Sequence, residues 1–164
     1  MSEQVTRTHS WIPPLPAAEM VQYSGEKLMR ECLEGRLPPP PIASTLGIRL
    51  VEVGHGSIEF EGESDDHLIN GYGTLFGGYF AALLDCALSG AVLTRLPAGT
   101  YQTTVQLNTH MVRPARPGIG PLRCTGRALH VGRSIATAEG SVTSAADGKL
   151  LAHATATCAV ITPG

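Results

Sequence analysis

The sequence predicts an α+β fold in which an antiparallel sheet of five to six strands wraps around one long central helix, with a short helix near the N-terminus. Three observations predict it. Between Asp66 and Arg95 the only formally charged residue is Asp85, and the apolar side chains of that stretch recur at helical spacing. On both sides of it the period falls to two, as in half-buried strands. At 164 residues the chain has the length of one compact domain with a single core.

Residues 1–41 read as an N-terminal extension and residues 42–164 as the body. The extension opens on Trp11-Ile-Pro-Pro-Leu-Pro16 and closes on Pro38-Pro-Pro-Pro41. Between them Ser24 suits a helix N-cap, Leu28, Met29, Cys32 and Leu33 form a stripe, and Gly35 stands where a C′ glycine ends a helix. From Gly47 onward, Ile48–Val53 and Ser57–Glu61 alternate around the turn Gly54-His55-Gly56, predicting a hairpin.

In the central stretch Phe76, Tyr79, Phe80, Leu83, Leu84, Ala87, Leu88, Ala91 and Val92 form one continuous stripe that should pack on the sheet. Asp85 then projects from the opposite side, among Gly78, Ala81, Ala82 and Ser89, whose small size permits close approach by a ligand or a second subunit. A membrane span is rejected. Asp85 would cost about 2.5–3.5 kcal/mol inside it, and glycines and period-two strands crowd it.

Four longer strands follow, at about 101–112, 121–131, 134–145 and 149–161. In the first of these Val105, Leu107, Thr109 and Met111 alternate with Thr104, Gln106, Asn108 and His110. Asp147-Gly148 predicts a two-residue hairpin, and the order of strands predicts a meander.

Composition excludes several function classes. A formal net charge of −2 offers no basic field for nucleic acid or anionic lipid. Cys32, Cys86, Cys124 and Cys158 lack metal or disulfide spacing, and the histidines lack zinc spacing, so no cofactor or metal is expected. Pro13, Pro14 and Pro16 interrupt any signal-peptide core, so a cytoplasmic protein is expected.

Asn70, Phe76-Gly77-Gly78 and Asp85, with Thr104-Val-Gln-Leu-Asn108 and Arg113-Pro114-Ala115 further on, resemble the signature of hotdog-fold acyl-CoA thioesterases. Within that superfamily, which includes 4-hydroxybenzoyl-CoA thioesterase, they are most similar to the phenylacetate-degradation (PaaI-type) group. The segments Gly35–Ile42, Leu46-Gly47, Val131-Gly132-Arg133 and Ala138-Glu-Gly140 extend the likeness over most of residues 24–161. The resemblance implies a shared active site in a homodimer or homotetramer, with Asn70 and Gly77 from one subunit and Asp85 and Thr104 from the other. Phe76 departs from it, standing where the family carries His.

Hydrolysis of a thioester needs a group that activates water and donors that hold the developing oxyanion. Asp85 suits the first, with Thr104 as its partner hydroxyl, or Thr103 in the shifted register. The Gly77 amide, at a helix start, suits the second. Asn70 would orient the carbonyl or the water; its structural alternative is a turn residue. Phe76, beside Gly78, would shape the acyl pocket. Arg113, His130, Gly132 and Arg133, at strand ends and turns, are candidates to meet the phosphates of coenzyme A.

The expected activity is thus hydrolysis of an aryl- or medium-chain acyl-CoA. The alternatives are an acyl-CoA binding or sensing protein, motivated by Phe76, and a hydratase, which ranks last because no His lies near the helix start.

Overall fold

The computed structural model describes residues 4–162. Three short helices come first, α1 (Ala17–Met20), α2 (Gly25–Leu33) and α3 (Pro41–Leu46). The body contains β1 (Ile48–Gly54), β2 (Ser57–Gly62), a 3-10 turn (Asp66–Leu68) and α4 (Gly77–Leu93). It ends with β3 (Tyr101–Met111), β4 (Leu122–Val131), β5 (Ile135–Ser144) and β6 (Leu150–Ile161). The strands form one antiparallel sheet in the order β1-β2-β4-β5-β6-β3, and α4 packs against it.

This order corrects the expected meander. β4, β5 and β6 do meander, but β2 pairs with β4, and β3 lies on the far edge beside β6. The reason is α4, which follows β2 and carries the chain across the concave face of the sheet, so the next strand starts at the other edge.

The apolar stripe of α4 is buried as periodicity requires. Tyr79, Phe80, Leu83, Leu84, Ala87, Leu88, Ala91 and Val92 are all core residues. Phe76 is the exception, since it occupies the N-cap in extended conformation and its ring is 57% exposed. Facing the helix are Leu122, Cys124, Ala136, Ala138, Val142 and the alternate residues of β6 from Ala152 to Cys158.

Two glycines let the helix come this close. A Cβ on Gly126 of β4 would collide with the Ala87 carbonyl of α4, and one on Gly140 of β5 would strike the Leu88 side chain. Strand-interior glycine weakens a strand, so here it exchanges strand propensity for backbone approach.

The N-terminal helix docks by the same device. A Cβ on Gly25 would collide with the Leu93 carbonyl at the end of α4, and the Gly25 amide donates to Leu96 O at 3.0 Å. Its far end closes in a Schellman motif. Arg36 N donates to Glu31 O at 2.9 Å, Gly35 N to Cys32 O at 3.2 Å, and Gly35 takes φ 73°.

The β5–β6 connection is wider than two residues. Ser144 N donates to Lys149 O at 3.0 Å and Gly148 N to Ser144 O at 2.8 Å, so residues 145–148 form the turn. Gly148, at φ 70°, still supplies the left-handed residue.

Gly126→Val should therefore lever α4 away from β4. The expected loss is at least about 2 kcal/mol, read as a fall in Tm of roughly 5 °C in thermal unfolding.

Candidate active site

α4 starts without a side-chain cap, because Phe76 has no acceptor to offer. Tyr79 N turns back to Phe76 O at 2.9 Å. Among the described residues no acceptor in the chain takes the Gly77 or Gly78 amides. Two N–H groups at the positive end of a 17-residue helix thus point outward, where they favour an anionic oxygen. The Phe76 ring lies over Gly78, at which a Cβ would overlap it, whereas a Cβ on Gly77 would meet the Met111 side chain at ordinary contact distance.

The loop before the helix is tied by Asn70. Its Oδ1 accepts from Tyr72 N at 2.8 Å and Thr74 N at 3.4 Å, and its Nδ2 donates to the Thr74 hydroxyl at 3.0 Å. Leu75 N donates to Ala115 O at 2.8 Å, holding the Arg113–Arg116 loop against the same corner. Asn70 is thus a turn residue in fact, and the two amides on Oδ1 fix its NH₂ group as a donor with one hydrogen left over.

Asp85 lies two turns further along α4, half-buried. Thr104 turns to the inner face of β3, toward Cys158, because of an irregularity that periodicity does not reveal. Thr104 pairs with Cys158 but Gln106 with Thr157, so Val105 is a bulge residue and is 58% exposed. The bulge turns Thr104 inward, onto the face of Leu107 and Thr109, and leaves Thr103 outward. Strict alternation from Val105 puts Thr104 on the wrong face.

Cys158 and Cys86 report on the surroundings of Asp85. Burial raises the pKa of the Cys158 thiol, the Thr104 hydroxyl bonded to it acts the other way, and the charge of Asp85 adds to the rise. Burial, with Asp85 again adding, pushes Cys86 up to about 11. Both thiols are protonated at neutral pH and are poor nucleophiles.

The remaining candidates divide between the two ends of β3. Arg113 follows the end that packs on Gly77, and its guanidinium donates to Leu150 O at 2.7 Å. His130, Gly132 and Arg133 belong to the β4–β5 turn, where Gly132 N donates to Ile135 O at 2.9 Å. Ile135 and Thr103 both pair with Ala159, which puts that turn at the opposite end.

One cluster went unread in the sequence. Glu63, Asp65 and His67 bring ligand atoms within 4.8 Å of one another. Arg7 reaches into the group, donating to Glu63 Oε2 at 2.9 Å and touching the His67 ring. Arg7 lies 56 residues before Glu63, so its part in the group carries no signal in the sequence.

Comparison with known proteins accords with this geometry. Residues 72–151 match the family model of the thioesterase superfamily. An esterase-named protein of Halobacterium salinarum is 32% identical over 111 residues, covering 65% of this chain and 72% of that one. A phenylacetic acid degradation-related protein of Ralstonia eutropha, described as a thioesterase, is 34% identical with a TM-score of 0.72, covering 80% of this chain and 98% of that one. The phenylacetic acid degradation protein PaaI of Thermus thermophilus, in a mutant form, is 27% identical with a TM-score of 0.66, covering 73% and 98%. The fold is that of the hotdog thioesterases, and the chain belongs to the PaaI-type group of the thioesterase superfamily. Among the described residues no helix is long and apolar enough to cross a membrane.

The raised Cys86 pKa has a consequence for stability. The unfolded thiol ionises near 9 and the folded one near 11, so its contribution is complete below pH 9 and is lost as pH rises through 11. The unfolding midpoint in urea should fall across that window, and Cys86→Ala should fall less steeply.

Proposed function

We propose that the chain is an acyl-CoA thioesterase of the cytoplasm whose active site forms between two copies, Gly77 and Asn70 of one facing Asp85 and Thr104 of the other. One observation carries the reading. Gly77 and Asp85 stand eight residues apart on one rigid helix, about 12 Å along its axis, so a single carbonyl cannot touch both within one chain. Each chain supplies two half-sites.

The means of joining them is β3. It is an edge strand of 11 residues, with no Lys, Arg, Asp, Glu or Pro to block further pairing, and it exposes Tyr101, Val105 and Met111. Met111 packs on Gly77, and Thr104, the proposed partner of Asp85, lies roughly 23 Å away along the strand. Antiparallel pairing of two β3 edges about a two-fold near Leu107 and Asn108 would bring the Thr104 end of one copy to the Met111 end of the other. Arg113 and the His130–Arg133 turn would then flank one site, where the phosphates of coenzyme A need cations.

In this arrangement Asp85 removes a proton from water as the water oxygen attacks the thioester carbonyl. The oxyanion is held by the Gly77 amide at the positive helix end, and Asn70 Nδ2 orients it. The C–S bond then breaks, the acid forms, and the departing thiolate takes up a proton. If Asp85 instead attacks the carbonyl itself, a mixed anhydride forms before hydrolysis. Single turnover in ¹⁸O water distinguishes the two, since the anhydride route can leave label in Asp85.

Asp85→Asn should lower kcat by about 10²–10⁴-fold. Mixing it with Asn70→Ala by co-refolding should restore roughly a quarter of native activity, because each mixed pair holds one intact site. No recovery from two individually inactive variants would place each site within one chain.

A second reading, an acyl-CoA binding protein with weak turnover, is favoured by Phe76, whose ring cannot donate to the carbonyl. On that reading Phe76→His should raise kcat by about 10²-fold or more. Unchanged or lower thiol release rules out a crippled oxyanion site.

A further inference from the structure

An apolar cavity of about 500 Å³ lies between the N-terminal segment and the body. Its floor is the stripe Cys86, Gly90 and Leu93 of α4, one side is β1 and β2 with Phe60, and the roof is α2 with the Pro38–Pro40 run. Of the α2 residues over it, Leu28 is buried while Met29 and Cys32 are only partly buried, so part of the apolar face of α2 covers a space.

The α4 wall of the cavity starts at Cys86, the residue after Asp85, and Ser89, one turn on from Asp85, lines the same wall. Gln102 lines it too, two residues before Thr104 on the same face of β3, and its Oε1 is buried with no donor among the described residues. The polar lining consists of Ser89 and Gln102, with Arg49 on β1, and the walls contributed by α2 and the prolines are aliphatic, thioether, thiol and pyrrolidine groups.

The geometry points to this cavity as the site of the acyl chain, with an unbranched aliphatic acyl group of medium length as the substrate class. The inference rests on the thioesterase reading and adds a role for residues 1–41. Size decides against a single ring, because an apolar cavity of about 150 Å³ suffices for benzene and this one is more than three times larger. Shape agrees, since the floor from Cys86 to Leu93 runs about 10 Å along the helix axis. The carbonyl end would lie at Asp85 and the tail beneath α2.

Thiol release from butyryl-, octanoyl-, lauroyl- and phenylacetyl-CoA tests this, together with Cys32→Phe and Met29→Trp, which fill the cavity from its roof, away from Asp85. Octanoyl-CoA should exceed both butyryl- and phenylacetyl-CoA in kcat/KM by about tenfold or more. Either filling variant should remove most of that advantage and leave butyryl-CoA within about twofold. Turnover that is indifferent to both variants, or that favours phenylacetyl-CoA, overturns the inference and leaves the thioesterase reading standing.

Binding of a dansyl-labelled fatty acid to the whole chain, and its loss in the filling variants, provides a readout without turnover. If it binds and is lost on filling while no acyl-CoA is hydrolysed, the cavity assignment holds and the enzyme reading falls. If the probe does not bind and no acyl-CoA is hydrolysed, both are overturned. Thermal unfolding of the two variants separates a filled cavity from a lost fold.

Discussion

The contact of the α4 backbone with the sheet sets the dimensions of everything else. Because Gly126 and Gly140 carry no side chain, the helix settles onto β4 and β5 at backbone distance, with Ala87 and Leu88 at the contact. A helix held so close buries one face completely, and its other face must then be small and nearly free of charge. Asp85 is the charge that face carries. Its position along the axis is fixed by the same packing, and so is its separation from the Gly77 amides. The half-sites follow from a rigid rod of fixed rise and not from any flexible loop.

The sequence makes the helix and most strands legible because their signals are local. A 3.6-residue stripe from Tyr79 to Val92 and the alternation of β6 depend only on neighbours a few positions away. Asn70, Gly77 and Asp85 are legible for the same reason, as spacings within one short segment. What stays hidden depends on distant partners. The edge position of β3 follows from where α4 delivers the chain, and the bulge at Val105 exists only in the pairing with β6. Phe76 illustrates the limit within a single helix. It fits the apolar stripe by number, yet it is the N-cap, and an extended backbone there turns its ring out over Gly78.

Cys86 and Cys158 sharpen the chemistry assigned to Asp85. A thiol beside a carboxylate in a half-buried site is a plausible nucleophile on composition alone. Burial reverses that, because it disfavours the thiolate, and the negative charge of Asp85 disfavours it further. The two effects act together, so neither thiol competes for the electrophile. The Cys86 side chain also lines the cavity beneath α2.

The substitution at Phe76 bears on the same chemistry. In the proposed pairing a ring over Gly78 would lie at the mouth of the partner's half-site, with Tyr72 exposed in the adjoining loop. Replacing a donor by an aromatic ring removes one hydrogen bond to the oxyanion and adds apolar surface beside the thioester. The first change weakens stabilisation of the transition state, while the second binds ground and transition states alike and so cannot compensate in kcat. The Gly77 amide and helix dipole are unaffected by it, since both belong to the backbone. On the proposed reading Phe76 would act on the rate at which the site works, and the rise of α4 would still determine where it forms.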